Sequence, residues 1–321
     1  MWLFYVALSF SICFVLVPTV QSLSWIIGAV DVPKDFRRMH VKKTPRAGGI
    51  AICLAFSIAA LAFGAGSHTA LCAIGGGFLM MALGLADDIY CFDARTKLLF
   101  QISIVTASVL SLETFTPLQA FFAIFWVLTL CNAHNFIDGL DGLLCGCAAC
   151  EGGLLSVALL LTEREQDACF PLFLAAACLA FLHFNHSPAR IFAGDCGSLS
   201  IGFLLGIFSL GLFEFAGTGL SLLSPFFIFA YPLTDLFVAV ARRLLRGRSP
   251  FSADRAHLHH RLCDAGLSKP QSVRVLHLIC AMLGGIGVLL LRGRFFLFAS
   301  ISCMMTAFLL IKIRHFITDF I

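Results

Sequence analysis

Charged side chains are scarce in this sequence. Asp, Glu, Lys and Arg make up only 12% of the 321 residues, whereas 60% of the residues are hydrophobic. An ordinary soluble domain carries about 25% charged residues. No water-soluble core of this size needs so much apolar side chain, which includes 34 Phe against 3 Tyr. The composition therefore excludes an ordinary soluble protein and predicts that the lipid bilayer is the solvent for most of the chain.

A complete set of zinc-binding cysteines is also missing, although the chain contains 14 Cys. Most of them lie inside apolar runs, as Cys178 does, where Cys behaves as a small hydrophobic residue. Cys145, Cys147 and Cys150 approach a metal-binding spacing. No second Cys or His pair of matching spacing completes a zinc site, so the cysteines are interpreted as parts of apolar helices.

Apolar segments, by contrast, fill the chain. About eleven can be counted, each near the ~20 residues that a membrane-spanning helix needs. The first has no basic stretch before it and no small-residue cleavage site, so it is predicted to be a retained helix and not a signal peptide. The expected fold is all-α, a polytopic transmembrane bundle of about 11 helices in a single integral membrane domain, residues 1–321. The predicted segments are 2–21, 47–66, 69–86, 98–112, 119–135, 143–161, 168–184, 199–215, 222–241, 275–291 and 295–311.

Basic residues divide unequally between the two sets of alternate loops. All but three of the 22 Lys and Arg residues fall in one set, and the exceptions are Arg164, Arg292 and Arg294. The positive-inside rule places the basic set in the cytoplasm. The N-terminus is then predicted to lie outside and the C-terminus in the cytoplasm.

Acidic residues collect at the predicted cytoplasmic ends of the helices. Asp87 and Asp88 end one segment, and Asp93 follows them. In the next cluster Asn135, Asp138 and Asp141 are spaced three residues apart, so a helical turn would place them on one face. Three acidic clusters in three loops on one side of the membrane predict a shared site.

The third cluster surrounds Asp195 and contains Asn185 and Phe192 before it. The small residues Gly194, Gly197 and Ser198 beside Asp195 form a loop whose backbone N–H groups can meet phosphate at a helix N-terminus. An Asp there can hold Mg²⁺, which takes one or two protein oxygens together with substrate phosphates.

Two basic loops complete the predicted site. Loop 22–46 ends in Arg46, and loop 242–274 contains Arg255 followed by His257, His259 and His260. The histidines fit either a zinc site or recognition of phosphate, and the sequence leaves both open. Carboxylates for metal binding and proton transfer, surrounded by cations, suit a polyanionic substrate that carries a diphosphate.

These motifs resemble those of the polyprenyl-phosphate N-acetylhexosamine-1-phosphate transferases, a family that includes the phospho-N-acetylmuramoyl-pentapeptide transferases. Five motifs match in the family's order between residues 31 and 260. The first motif comprises residues 31–33, Arg37, His40 and residues 45–49, and the second comprises Asp87, Asp88 and Lys97. The other three motifs are residues 132–143, 185–198 and 257–260.

The resemblance implies a Mg²⁺-dependent transfer, with Mn²⁺ as the alternative ion, of a sugar 1-phosphate from a UDP-sugar to a lipid phosphate. UMP would leave, and a lipid-diphosphate-sugar would remain in the membrane. The resemblance implies that Asp195 and Asn135 bind the metal and that Arg46 and Arg255 contact phosphates. Asp141, Asn185 and Phe192 would contact the uridine nucleotide, with Phe192 stacked on uracil. The implied catalytic residues, among which Asp87 is the base for the lipid phosphate, are Asp87, Asp88, Lys97, Asp138, His257, His259 and His260.

The resemblance also implies the partners and the location. The partners are a UDP-sugar, polyprenyl (undecaprenyl) phosphate and the membrane, without nucleic acid, and a homodimer is the oligomer considered. The location is the inner (plasma) membrane with a cytoplasmic site. Leu258 interrupts the three consecutive histidines usual in the muramoyl-pentapeptide branch. This favours the N-acetylglucosamine-1-phosphate branch, whose members initiate O-antigen, enterobacterial common antigen or teichoic acid linkage, with the muramoyl-pentapeptide type as the alternative.

Two other classes of membrane protein compete with this interpretation. The CDP-alcohol phosphotransferases also use Asp, Gly and Mg²⁺, but they concentrate their aspartates in one paired-helix motif, whereas here three loops carry them. A coupled transporter would place carboxylates near the midplane, for which Glu151 and Asp235 are the candidates. The sequence does not distinguish direct displacement from a covalent phospho-enzyme.

Overall fold

The computed structural model describes residues 1–31, 43–64, 67–215, 219–250 and 257–291. Within these ranges the chain is almost entirely helical, which confirms the predicted all-α class. The helices are α1 (Trp2–Ile27), α2 (Gly49–Gly64), α3 (His68–Tyr90), α4 (Ala94–Ser111), α5 (Pro117–Ile137), α6 (Leu143–Leu161), α7 (Glu165–Asn185), α8 (Gly194–Phe215), α9 (Ser224–Ile228), α10 (Ala230–Leu245), α11 (Leu258–Asp264) and α12 (Lys269–Leu291).

Two short extended segments and one 3-10 turn interrupt the helices. Val30–Asp31 (β1) and Thr44–Pro45 (β2) form an antiparallel pair between α1 and α2. The 3-10 turn, Leu220–Leu223, precedes α9. These elements are local connections, and the rest of the described chain is built from helix packing.

The predicted apolar segments agree with the helices. Each of the first ten coincides with one helix, or with α9 and α10 together in the case of 222–241. Among the described helices, 7 are long and apolar enough to cross a membrane, and the segment of α9 and α10, bent by 81°, would make an eighth span. The eleventh predicted segment, 295–311, lies outside the described residues. The sidedness of the termini and the single domain of residues 1–321 stay predictions.

α8 is the central helix of the bundle. Almost all of its residues are buried, because it packs along α3 and α5 and also contacts α2, α6 and α7. Its serines satisfy their hydroxyl groups locally; Ser200 Oγ, for example, donates to the Cys196 carbonyl at 2.7 Å. A hydroxyl left without a partner in such apolar surroundings would be costly. The serines of the central helix therefore leave no hydroxyl group unsatisfied.

Glycines bring the neighbouring helices close to the beginning of α8. A Cβ atom at Gly84 of α3 would overlap the backbone of Asp195, and one at Gly49 of α2 would overlap the backbone of Gly197. Small residues at such crossings allow helix backbones to approach closely in membrane proteins. The ends of α2 and α3 are therefore packed directly against the turn that carries Asp195.

A side-chain cap starts α4 immediately after α3. Asp93 Oδ2 accepts hydrogen bonds from the backbone N–H groups of Arg95 and Thr96, both at 3.1 Å. Asp is a preferred residue at this position, because its carboxylate satisfies amides that have no partner within the helix. Asp93, grouped with the acidic clusters in the sequence, is thus a helix cap, and it fixes the helix on which Lys97 lies.

Gly84→Ala should destabilise the protein by about 1–3 kcal/mol, because the added methyl group would force α3 and α8 apart. Gly75→Ala is the matched control on the same helix. A Cβ atom there meets no other atom within 4 Å, so this change should be neutral or slightly stabilising, since Ala is the better helix former. Thermal unfolding of both variants in one detergent checks the prediction. Equal melting temperatures would show that the helices do not cross tightly at Gly84.

Candidate active site

Five charged side chains from separate parts of the chain meet at one end of the bundle. Asp87 and Asp88 lie in the last turn of α3, Lys97 near the start of α4, Asp195 in the first turn of α8 and Arg46 just after β2. Arg46 Nε lies 2.8 Å from Asp88 Oδ1, and an Arg46 Nη atom lies 2.9 Å from Asp195 Oδ1. Lys97 Nζ lies 2.9 Å from Asp87 Oδ2 and forms a second ion pair with Asp195. The two cations therefore link all three carboxylates.

Asp88 caps the N-terminus of α8. Its Oδ1 accepts a hydrogen bond from the Asp195 N–H at 3.0 Å, and its Oδ2 accepts one from the Cys196 N–H at 3.2 Å. The first amides of a helix have no partner within it, and the helix dipole favours negative charge there. The Asp88 side chain is 0% exposed. Within the predicted catalytic group, Asp88 thus has the contacts of a positioning residue for Asp195.

The segment after β2 holds Arg46 over the same helix end. The Phe192 N–H donates to the Pro45 carbonyl at 2.8 Å, and the Gly48 N–H donates to the Phe192 carbonyl at 3.0 Å. Gly194 has a φ of 73°, and a Cβ atom there would overlap the Arg46 carbonyl, so this position requires glycine. Phe192 therefore lies beside the charged cluster, and its stacking on uracil stays a prediction.

The last turn of α5 brings Asn135 and Asp138 to the cluster. Asn135 Nδ2 donates a hydrogen bond to Ser198 Oγ at 2.8 Å, which turns the carboxamide towards the first turn of α8. Asp138 follows α5 directly and ends the helix. The spacing of Asn135 and Asp138 therefore places both groups at one site, as the sequence predicts.

Asp138 has an unusual affinity for its proton. Burial raises the pKa of the carboxyl to about 7, Arg46 opposes that rise, and the nearby carboxylates of Asp195 and Asp88 add to it. The side chain keeps partial contact with solvent, yet enough protein surrounds the carboxyl to disfavour its charged form. At neutral pH Asp138 can thus both hold and release a proton.

Asn185 and Asp141, which the sequence predicts to contact the uridine nucleotide, form hydrogen bonds between the loops on either side of the site. Asn185 Oδ1 accepts a hydrogen bond from the Gly142 N–H at 3.0 Å, and its Nδ2 donates to the Ile191 carbonyl at 2.8 Å. Asp141 Oδ2 accepts a hydrogen bond from the Ala189 N–H at 3.1 Å. The Asn185 side chain is buried, so the contacts described here are internal ones. The contacts of both residues with uridine stay predictions.

The histidine segment, residues 257–260, reaches the site from α10. Asp235 Oδ2 lies 2.7 Å from His257 Nδ1, and Asp235 Oδ1 accepts a hydrogen bond from the Leu258 N–H at 2.8 Å. This anchor places His259 against Gly139, where a Cβ atom would overlap the imidazole ring. The segment therefore packs on the loop that carries Asp138, and its contact with the substrate stays a prediction.

His259 is a neutral group at physiological pH. Burial and, to a smaller extent, the neighbouring His260 lower its pKa to about 3. Its Nδ1 atom is buried and has no hydrogen-bond partner among the described residues. His259 is thus suited to hydrogen-bonding a ligand but does not supply positive charge for a phosphate.

The donor set fits Mg²⁺ better than zinc. Within the described part of the chain, no three His, Cys, Asp or Glu side chains are arranged to hold a metal ion by themselves. Mg²⁺ does not need such a cage, because it keeps several waters and uses one or two protein oxygens with substrate phosphates. Asp195 and Asn135 offer hard oxygen donors, and the crowding of carboxylates around Asp138 is a repulsion that a divalent cation would relieve.

Three residues of the predicted motifs, Arg255, Arg37 and His40, lie outside the described residues.

One contribution to the site is not readable from the sequence. The sequence treats Asp235 only as a transporter candidate, although it anchors the histidine segment. An acidic residue in an apolar segment signals a buried partner, but nothing in the local pattern identifies that partner as His257.

Comparison with known proteins gives a consistent match. Residues 70–213 match the model of glycosyl transferase family 4. The probable undecaprenyl-phosphate N-acetylglucosaminyl 1-phosphate transferase of Bacillus subtilis is 35% identical over 286 residues, which cover 83% of this chain and 78% of the relative. The decaprenyl-phosphate N-acetylglucosaminephosphotransferase of Mycolicibacterium smegmatis is 35% identical, covering 81% and 74%. The undecaprenyl-phosphate alpha-N-acetylglucosaminyl 1-phosphate transferase of Escherichia coli K12 is 28% identical, covering 82% and 77%.

Asp88→Ala should lower the free energy of unfolding by roughly 2–4 kcal/mol, because two amides of α8 and the Arg46 guanidinium lose a buried acceptor. Asp93→Ala is the control, since Asp93 also caps two amides but is exposed to water, and it should cost clearly less. Denaturant unfolding in a mild detergent measures both. A loss at Asp88 no larger than that at Asp93 would remove the structural role assigned to Asp88.

Asp138→Asn should stabilise the metal-free protein increasingly as the pH rises. The folded protein keeps the Asp138 proton up to about pH 7, whereas the unfolded chain releases it near pH 4. Ionisation therefore costs folding free energy across this window, and Asn avoids that cost. The difference in stability between variant and wild type should widen by roughly 2 kcal/mol from pH 5 to pH 8. Unfolding with a chelator present measures it, and a difference that does not change with pH would contradict the raised pKa.

Proposed function

Because the chain belongs to glycosyl transferase family 4, we propose that it transfers N-acetylglucosamine 1-phosphate from a UDP-sugar to a polyprenyl phosphate. UMP is released, and the lipid-diphosphate-sugar stays in the membrane. The main observation in support of the proposal is that five charged side chains form ion pairs at one end of a bundle of membrane-spanning helices. These side chains are Arg46, Asp87, Asp88, Lys97 and Asp195. The names of the relatives given above include the N-acetylglucosamine phosphate group and the polyprenyl phosphate, whereas the UDP-sugar donor is part of our proposal.

The charged cluster supports the binding of two polyanions. Both oxygens of Asp195 are paired with cations, one with Arg46 and the other with Lys97. Phosphate oxygens offer these cations alternative partners, and Arg in particular recognises phosphate through several N–H groups at once. Exchange of carboxylate for phosphate would free Asp195. Substrate binding and preparation of the metal site are thereby linked in this proposal.

Asp195 and Asn135 would hold Mg²⁺. The ion supplies positive charge that offsets the repulsion between the attacking phosphate and the diphosphate. The chain's own cations assist in the same way, since Lys97 lies between Asp87 and Asp195 and can contact a diphosphate placed there. This electrostatic role, together with positioning, accounts for most of what the protein must contribute.

In this proposal, proton transfer contributes less to the reaction than electrostatic stabilisation and positioning do. The second pKa of a phosphate monoester is about 6, so a lipid phosphate is largely dianionic at neutral pH. We assign Asp87 as the group that accepts the remaining proton, and its Oδ2 is held by Lys97 at 2.9 Å. Asp138, with a pKa raised by burial to about 7, is suited to storing a proton nearby.

An apolar cavity between α5 and α10 supports a long isoprenoid ligand. Its volume is about 450 Å³, and aromatic side chains dominate its wall, among them Phe122, Phe125, Trp126, Phe226 and Phe237. Such a surface suits an isoprenoid chain, whose burial is favourable in proportion to its apolar area. A second cavity, of about 590 Å³, lies around Arg164 and shares Thr114, Phe115 and Leu210 with the first. Neither wall contains a proposed site residue, so the first cavity is favoured only by its aromatic lining.

The basic loops support a cytoplasmic location for the proposed site. By the positive-inside rule the proposed site faces the cytoplasm of a plasma membrane, where UDP-sugars are available. The family match argues against the transporter alternative. Its two candidate carboxylates each contact a histidine, Glu151 with His134 and Asp235 with His257.

Release of UMP tests the proposal. The purified protein in nanodiscs, supplied with UDP-N-acetylglucosamine, undecaprenyl phosphate and Mg²⁺, should release UMP, and omission of the lipid or addition of a chelator should stop it. A parallel assay with UDP-N-acetylmuramoyl-pentapeptide examines the other branch. Activity with that substrate alone would replace the assigned sugar, and no release with any UDP-sugar would sink the transferase proposal.

Asp195→Asn in the same assay should reduce the rate at least about 100-fold, since a metal contributes several kcal/mol of charge stabilisation. The variant should still fold, because the cap on α8 uses the backbone N–H of residue 195 and not its side chain. UMP release and the melting temperature are measured together. A folded variant with near-normal turnover would show that Asp195 does not bind the ion.

A further inference from the structure

A buried His–Glu pair lies beside the site without belonging to it. His134 Nε2 on α5 lies 2.7 Å from Glu151 Oε2 on α6, and both side chains are 0% exposed. The Cys280 thiol of α12 donates to the other Glu151 oxygen at 3.5 Å. Neither residue touches the charged cluster, and the proposed reaction uses neither. A polar pair in the apolar interior of a membrane protein requires an explanation.

The hydrogen bonds determine what the pair can do. His134 Nδ1 lies 2.8 Å from the Leu130 carbonyl, and since a carbonyl only accepts, Nδ1 carries a hydrogen. The contact between Nε2 and Glu151 therefore contains a second, shared proton. The imidazole ring is bonded at both nitrogens, which fixes its orientation as well as its position.

The pair is one of three polar contacts that radiate from the end of α5. Asn132 Nδ2 donates to Gln101 Oε1 of α4 at 2.9 Å, and Asn135 Nδ2 donates to Ser198 Oγ of α8 at 2.8 Å. With His134 bound to α6, this short stretch of α5 is tied to three different helices. Residues 132, 134 and 135 point in different directions around a helix that turns by about 100° per residue, so together they prevent its rotation.

Direct packing between α5 and α6 is sparse in the described part of the chain, although they flank the loop that carries Asp138 and Asp141. Packing of apolar side chains therefore contributes little to the orientation of α5 relative to α6, and the His134–Glu151 contact is the polar link between them.

We propose that His134 and Glu151 are positioning residues that fix the rotation of the last turn of α5, and thereby the direction in which Asn135 and Asp138 face the proposed metal and substrate. This inference rests on the proposed function. A buried pair of this kind contributes little net stability, because desolvation offsets the attraction between its members, whereas it can specify one arrangement of the helices.

A set of variants separates positioning from stability and from charge. Glu151→Gln keeps the contact, because the Gln Nε2 group can donate to His134 Nε2, and should retain kcat within about threefold. Glu151→Met leaves His134 Nε2 without a partner and should lower both kcat and the melting temperature. The double variant His134→Leu/Glu151→Met removes both polar groups and should recover the melting temperature. Its kcat should nevertheless stay at least about tenfold below wild type, because a small misplacement of reacting groups is costly.

The decisive readout is the Mg²⁺ concentration at the midpoint of Mg²⁺-induced thermal stabilisation, measured with UDP-N-acetylglucosamine present and polyprenyl phosphate absent, so that the donor phosphates are available to the ion but no turnover occurs. In the double variant this midpoint should rise at least about tenfold, while Glu151→Gln stays near wild type. Ser9→Ala is the control, since it removes a buried contact of 2.7 Å between α1 and α7. It should lower the melting temperature and leave the midpoint unchanged.

Each outcome bears on the proposal. A double variant that matches the wild type in melting temperature, midpoint and kcat would overturn it, and so would a loss in Glu151→Gln as large as that in Glu151→Met. A wild-type protein that responds to Mg²⁺ but releases no UMP would instead overturn the proposed function, and the midpoints would still test the positioning role.

Discussion

The rest of the structure depends on the contact between the Asp88 carboxylate and the first amides of α8. α8 is the central helix, and its first turn carries Asp195, so whatever fixes that turn fixes the site. Gly84 lies four residues before Asp88 on the same face of α3, where its missing side chain lets the two backbones approach. The close crossing and the cap thus act on one helix end. Together they determine both the distance and the register between α3 and α8.

The charges of the site largely offset one another, since two cations pair with three carboxylates and leave an excess of about one negative charge. Isolated ionised groups are very costly in a medium of low polarity, and here Arg46 and Lys97 each contact two carboxylates. This arrangement lets a strongly charged site exist at the edge of a bilayer. It also makes the site responsive, because an entering phosphate competes for the same cations. The cost of binding a polyanion is lowered when the protein already holds the complementary cations in place.

The sequence predicts the helices well, because a bilayer imposes a length and a composition that apolar segments reveal directly. The acidic clusters likewise predict which residues meet, since their loops share one end of the bundle. What the sequence does not reveal is the partner of each polar side chain. Asn185 is recognised as part of a motif, yet it joins two loops, and Glu151 is visible as an acid in an apolar run, yet its contact with His134 is not. Such pairs depend on helix rotation, which local spacing does not encode.

The apolar interior of a membrane does little to determine how each helix is rotated about its own axis. Lipid tails are as apolar as the side chains of the bundle, so burial alone does not favour one face of a helix over another. In this protein two other kinds of contact supply that information. Glycine crossings such as Gly84 set how closely helices approach, and buried hydrogen bonds from Asn132, His134 and Asn135 set which way α5 faces. A site assembled from the ends of several helices can therefore be precise although most of the surrounding surface is uniform. The few polar contacts within the bundle determine the orientation of the helices, which the apolar contacts alone do not specify.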